Sequence, residues 1–125
     1  MDKMQALNGF WNQFGIPAFD HLSVPEEING VKVKPPYITY ETASDEFGNA
    51  IPLNASIWYR EKSWENITAK EAQISQYIGR GGVMVTYDRG AFWLEKRFPW
   101  AQRMNDPEDD LIKRILLQYS IEFID

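Results

Sequence analysis

IPLNASIWYR, residues 51–60, alternates after its proline: Leu53, Ala55, Ile57 and Tyr59 fall on one side, Asn54, Ser56, Trp58 and Arg60 on the other. A period of two, rich in branched and aromatic residues, is the pattern of a β-strand with one buried face. A helical pattern begins at Ser63 and stops at Gly79, so the strand feeds a helix that must fold back across the sheet. Ser63 suits an N-cap, Glu65 suits the positive end of the helix, and Gly79 suits its stop. Trp64, Ile67, Glu71, Ile74, Tyr77 and Ile78 trace the inward stripe. A start at Thr68, with Glu71 completing a capping box, would shorten the helix by about one turn.

Upstream, Tyr37–Thr42 (YITYET) reads as a strand, with Ile38 and Tyr40 opposite Tyr37, Thr39 and Glu41. Asp45, Gly48 and Asn49 supply turn chemistry before Ile51, which makes antiparallel pairing of the two strands the expectation. Downstream, Gly81-Gly82 leads into VMVTYD and, past Arg89-Gly90, AFWLEKRF. Asp88-Arg89-Gly90 reads as a three-residue hairpin loop with Gly90 at positive φ in a bulge. Pro99 is expected to end the second strand, leaving PWAQRMNDPEDD as an acidic loop with at most a helical turn at its start. Ile112–Ile124 alternates Ile115, Leu117, Tyr119, Ile121 and Phe123 against Arg114, Leu116, Gln118, Ser120 and Glu122, one long strand.

At the other end, Met4, Leu7, Trp11 and Phe14 recur at helical spacing, with Gly15 as a left-handed cap and Pro17 barring continuation. Residues 16–35 carry Pro17, Pro25, Pro35 and Asn29-Gly30 and read mainly as loop, with room for a short extended piece. Asn29-Gly30 is also suited to turn a small hairpin between Glu27-Ile28 and Val31–Val33. The order is helix, strand, strand, helix, strand, strand, strand. The expected class is α+β: a mainly antiparallel sheet of about five strands with two helices on one face, in the order α-β-β-α-β-β-β.

The totals frame this as one domain spanning residues 1–125, long enough for a real core. Apolar residues at 44% and charged residues at 25% are ordinary for a globular chain. A net charge of −5 points away from phosphate recognition, so no specific nucleic-acid partner is expected. With no cysteine there is neither disulfide nor thiolate metal site. The first residues lack the apolar core of a signal peptide, and no run is long enough to span a membrane, so no membrane partner is expected.

His21, the single histidine, stands next to Asp20 without partners that sequence can place, and reads as a surface residue. Asp106, Glu108, Asp109 and Asp110 lack the spacing and the glycine of a calcium loop. Gly79-Arg80-Gly81-Gly82 follows a helix, whereas phosphate loops precede one. Asn54-Ala55-Ser56 and Asn66-Ile67-Thr68 match glycosylation sequons that nothing else supports. The expectation is therefore no catalytic group, no metal and no cofactor. Aromatic residues make up 14% of the chain, a surplus that often marks subunit contacts. Trp58, Trp93, Phe98, Trp100 and Arg103 are the expected protein-contact residues, set against the plainer reading that half of them fill the core.

Four segments, PPYITYE (35–41), IPLNASIWYREKSW (51–64), YIGRGGVMVTYDRGAFWLEKRFPWAQRM (77–104) and LIKRILLQYSIEFID (111–125), together resemble a known group. In order and kind they resemble the tail terminator and tail-to-head joining proteins of long-tailed bacteriophages, small minor structural proteins of prophages in low-GC Gram-positive bacteria. The resemblance covers roughly residues 36–125; the first helix fits in kind, and 16–35 has no counterpart in it. It implies a non-enzymatic virion assembly protein that forms a ring, commonly hexameric. Such a ring ends the tail tube and meets the head connector, first in the host cytoplasm and then in the virion. Two other readings stand beside it: another phage neck or minor capsid protein, and a small ligand-binding or enzymatic α+β domain with a site around His21 and Asp20.

Overall fold

The computed structural model of the chain describes residues 1–42 and 50–124. In chain order the elements are α1 (Lys3–Asn12), β1 (Ala18–Asp20), β2 (Glu27–Ile28), β3 (Val31–Lys32), β4 (Tyr37–Tyr40), β5 (Ile51–Arg60), α2 (Glu65–Ile78), β6 (Val83–Tyr87), β7 (Gly90–Asn105) and β8 (Ile112–Ile124). Six strands form one sheet in the order β1-β4-β5-β8-β7-β6, and β2 and β3 pair only with each other. All neighbours in the large sheet are antiparallel except β1 and β4, which run parallel. The class is α+β, as the alternations imply, but the sheet has six strands rather than about five.

Ile57 and its pattern mates do what their period requires. Leu53, Ala55, Ile57 and Tyr59 are all buried, on the same face as Ile38, Tyr40, Ile115, Leu117, Tyr119, Ile121, Phe92 and Leu94. Both helices contribute to that one core: Ala6, Leu7, Phe10, Trp11 and Phe14 from the first and its exit, Ile67, Ile74 and Ile78 from the second. Trp11 is fully buried, its ring 5.3 Å from that of Tyr119 and 6.4 Å from that of Tyr40. Burying a side chain of this kind is worth roughly 1.5–3 kcal/mol, so α1, weakened by Gly9, is held by docking. Met4, expected on the inner stripe, is exposed, and Phe10 takes that place because the helix turns its 6-7-10-11 edge inward.

Local signals at the helix ends hold up. Asp2 and Gln5 form a capping box on α1, and Gly15 has φ +90°. Gly79, at φ +75°, closes α2, but its N-cap is Trp64 rather than Ser63, whose Oγ still accepts the Glu65 N–H at 3.0 Å from one residue further out. The later start at Thr68 is not taken. Asn29 (φ 52°) and Gly30 (φ 78°) form the tight turn between β2 and β3, as their type permits. The turn residues Asp45, Gly48 and Asn49 lie outside the described residues.

Within the mainly loop segment 16–35, the short extended piece is Ala18–Asp20, a parallel edge strand beside β4 whose place the sequence did not mark. Three residues are too few to show a period, and their partner is distant in sequence. Two expectations are corrected. Pro99 does not end β7, which runs on to Asn105 and pairs with β8 as far as Lys113. The register slips instead: Lys96 pairs with Tyr119 and Ala101 with Leu117, so Arg97, Phe98, Pro99 and Trp100 all stand opposite Gln118. A proline missing its N–H is tolerated in a bulge, where no ladder bond is owed. Finally, Tyr87 pairs directly with Gly90, so the hairpin loop is the two residues Asp88-Arg89, and Gly90 is not at positive φ.

Candidate functional site

With both helices on one face, the other face of the sheet is left bare. Register carries a row of side chains across it: Tyr37 pairs with Trp58, Trp58 with Arg114, and Arg114 with Met104, from β4 through β5 and β8 to β7. Cross-strand partners share a face and stand within side-chain contact. The Arg114 guanidinium lies 4.7 Å from the Trp58 ring centroid, and its Nε donates to Ser56 Oγ at 3.0 Å. Trp58 Nε1 donates to Thr39 Oγ1 at 2.9 Å, which fixes the indole in place. Tyr37, 6.4 Å from Trp58, leads on to Phe19 at 6.0 Å. Such a cation–π pair is worth about 0.5–1 kcal/mol at a partly exposed site.

Two shallow hollows flank Arg114. One, of about 150 Å³, lies between Trp58, Met104, Ile112 and Pro107. The other, of about 130 Å³, brings His21, Glu41, Asn54 and Ser56 to the same arginine. His21 Nδ1 lies 3.6 Å from Asp20 Oδ1 and 3.3 Å from the Tyr40 carbonyl. Glu41 accepts the Asn54 N–H at 2.5 Å. Among the described residues no three of His, Asp and Glu converge as a metal ion would need.

The five expected contact residues do not share one patch. Trp58 and Trp93 both lie half-buried on the bare face, Trp93 pairing with Met84 on one side and Glu122 on the other. Phe98 is 99% exposed, within the four-residue bulge. Trp100 turns in and packs against the core, with Lys96 Nζ 5.9 Å from its ring. Arg103 returns to the helix side, 5.0 Å from the Trp64 ring, with Nη2 donating to Thr68 Oγ1 at 3.3 Å. The bulge separates these last three: it reverses the parity on which alternation depends.

Arg114, Tyr37 and Met104 were not singled out by sequence. Tyr37 and Arg114 do alternate out of phase with their buried neighbours, which marks them as bare-face residues. That they meet Trp58 follows only from strand register. In the acidic stretch, Asp109 accepts the Leu111 N–H at 2.9 Å and pairs with Arg60 at 3.3 Å. The Leu111 bond, helped by Arg60, holds its carboxyl below the ordinary aspartate value. Burial pushes the hydroxyls of Tyr119, Tyr40 and Tyr59 up from theirs.

Comparison of the chain with protein-family models, with curated proteins and with solved structures returned no match.

Proposed function

We propose that this chain is a non-enzymatic virion assembly protein of the phage tail–head junction. Copies of it form a ring that ends the tail tube and offers a surface to the head connector. Support comes from the order of elements over residues 36–125 and its likeness to tail terminator and tail-to-head joining proteins. The observation that carries the reading is Phe98: a phenyl ring 99% exposed beside Arg97 and Pro99, raised on a bulge of an otherwise regular strand. A single exposed apolar residue is common, but one lifted out of a ladder by an irregular backbone is a built feature. The Tyr37–Trp58–Arg114–Met104 row adds the aromatic and arginine chemistry in which contact surfaces are enriched.

Purified protein mixed with tail tubes that lack their terminal ring tests this. Electron microscopy is expected to show an added ring at one end and tubes of uniform length. Light scattering of the protein alone reports whether the ring forms before it meets the tube. Tubes left bare at saturating protein would overturn the reading.

One observation favours a different class. The hollow beside Arg114 gathers His21 and Glu41, with Asp20 next to His21, the kind of grouping a small-ligand site needs. On that reading His21→Ala abolishes binding of a small anionic ligand and Phe98→Ser does not; on the assembly reading the ranking is reversed, with ring addition as the readout.

A further inference from the structure

Asparagine is followed by glycine twice in the chain, at Asn8-Gly9 and at Asn29-Gly30. Such a pair carries its own chemistry. With no Cβ on the second residue, its backbone nitrogen can swing onto the side-chain carboxamide of the first and close a ring. Both pairs are exposed, so access to water does not separate them. Backbone geometry does.

Asn8-Gly9 lies inside α1, where the Gly9 N–H points along the helix axis into the hydrogen-bonded ladder. Asn8 Nδ2 also donates to Tyr40 Oη at 2.7 Å. Turning the Gly9 nitrogen toward Asn8 would unwind the turn that carries Leu7, Phe10 and Trp11, all buried in the core. An opening of that kind costs close to the free energy of unfolding. Asn29-Gly30 is placed otherwise. It is the tight turn of the β2–β3 hairpin, whose two strands pair only with each other. Ile28 and Val31, the pair that closes the turn, are 46% and 69% exposed, and an added Cβ at Gly30 would meet nothing within 4 Å. No hydrogen bond engages the Gly30 N–H among the described residues. A lone two-stranded hairpin is marginal in water, so it opens while the six-stranded sheet stays folded.

We propose that Asn29 is the site at which this chain modifies itself, by deamidation, and that the fold protects Asn8. Hydroxide takes the proton of the Gly30 N–H as the nitrogen attacks Asn29 Cγ. The new N–Cγ bond closes a succinimide, and the Cγ–Nδ2 bond breaks, the nitrogen leaving as ammonia with a proton from water. Water then opens the ring: attack at Cγ leaves aspartate, and attack at the main-chain carbonyl leaves isoaspartate. The net change is one water taken up and one ammonia released. Either product adds a carboxylate to a strand end that already carries Glu26 and Glu27. Isoaspartate also threads the main chain through Cγ, one carbon longer, so Ile28 and Val31 lose their register across a two-residue turn. The damage stays within the hairpin, since no strand of the large sheet pairs with it. This stands independently of the assembly role.

To test it, the unaltered chain is held in mildly alkaline buffer, folded and in urea. A glutamate-specific protease then cuts after Glu26 and Glu27, which puts Asn8 and Asn29 on separate peptides. Mass spectrometry with electron-transfer fragmentation reads aspartate and isoaspartate at each position. In the folded chain Asn29 is expected to convert at least ten-fold faster than Asn8, and in urea the two rates are expected to converge. Equal rates in the folded chain would overturn the assignment, and so would an Asn29 that converts only in urea. A difference that persists unchanged in urea would overturn it as well, because neighbouring residues rather than the fold would then be its cause.

Discussion

The side-chain amide of Asn12 hydrogen-bonds both the N–H and the C=O of Ala18, standing where a neighbouring strand would. The last residue of the first helix thereby finishes the edge of the sheet. Because α1 is tied at this end to β1, and at its start to the β6–β7 turn through Asp88 N–H and Met1 O, it bridges the two borders of a curled sheet.

Asn12→Ala removes both bonds and leaves two backbone groups of a partly buried strand unpaired. The expected loss is about 1–3 kcal/mol in urea unfolding. Met4→Ala, at an exposed site of the same helix, is expected to change stability by no more than about 0.5 kcal/mol.

Gly81 and Gly82 are adjacent and will respond oppositely. Gly82 has φ +92°, and a Cβ there would lie 2.8 Å from both the Leu94 carbonyl oxygen and Trp93 Nε1. Gly82→Ala is expected to cost about 2 kcal/mol or more, from backbone strain and overlap together. At Gly81 an added Cβ meets nothing within 4 Å, so Gly81→Ala should stay within about 0.5 kcal/mol of the parent. Thermal or denaturant unfolding of the two variants makes the comparison.

Stability should fall in alkali. Burial raises the Tyr119 hydroxyl above 10.0, with Tyr40 and Tyr59 moved the same way. Below about pH 10 these groups are protonated in both states and stability is at its full value. Above it the unfolded chain releases protons that the folded chain retains, and stability declines as pH rises. Tyr119→Phe is expected to make the decline shallower, at the cost of the bond from Tyr119 Oη to the Glu41 carbonyl, 3.1 Å long. Urea midpoints measured across that range test it; a slope unchanged by Tyr119→Phe would contradict the assignment.

Phe98→Ser should leave the single chain as stable as before, within about 0.5 kcal/mol, because the ring touches water on all sides. In an assembled ring it should behave as a contact anchor, with a loss of about 2 kcal/mol, roughly thirty-fold in affinity, read by sedimentation of ring-capped tubes. A Phe98→Ser protein that caps tubes as tightly as the parent would remove the main support for the proposed role.

Sequence by itself determined the elements whose partners are local. The alternation over Ile51–Arg60 and Ile112–Ile124 marked the apolar side chains that are buried, since a strand's period is two whatever lies beside it, while Ser56 on the other side is buried as well. Gly79, Gly15 and Asn29-Gly30 marked helix ends and a turn, because the conformations required there depend on the residue itself. Tertiary structure alone decided the rest. Ala18–Asp20 became a strand only because β4 lies alongside it, and β7 continued past Pro99 only because β8 offered a ladder that a bulge could rejoin. The meeting of Trp58 with Arg114 likewise depends on register between strands more than fifty residues apart, which no local pattern encodes. Long-range pairing chooses which surfaces face water, and at the β1 border it sets Asn12 where a neighbouring strand would stand.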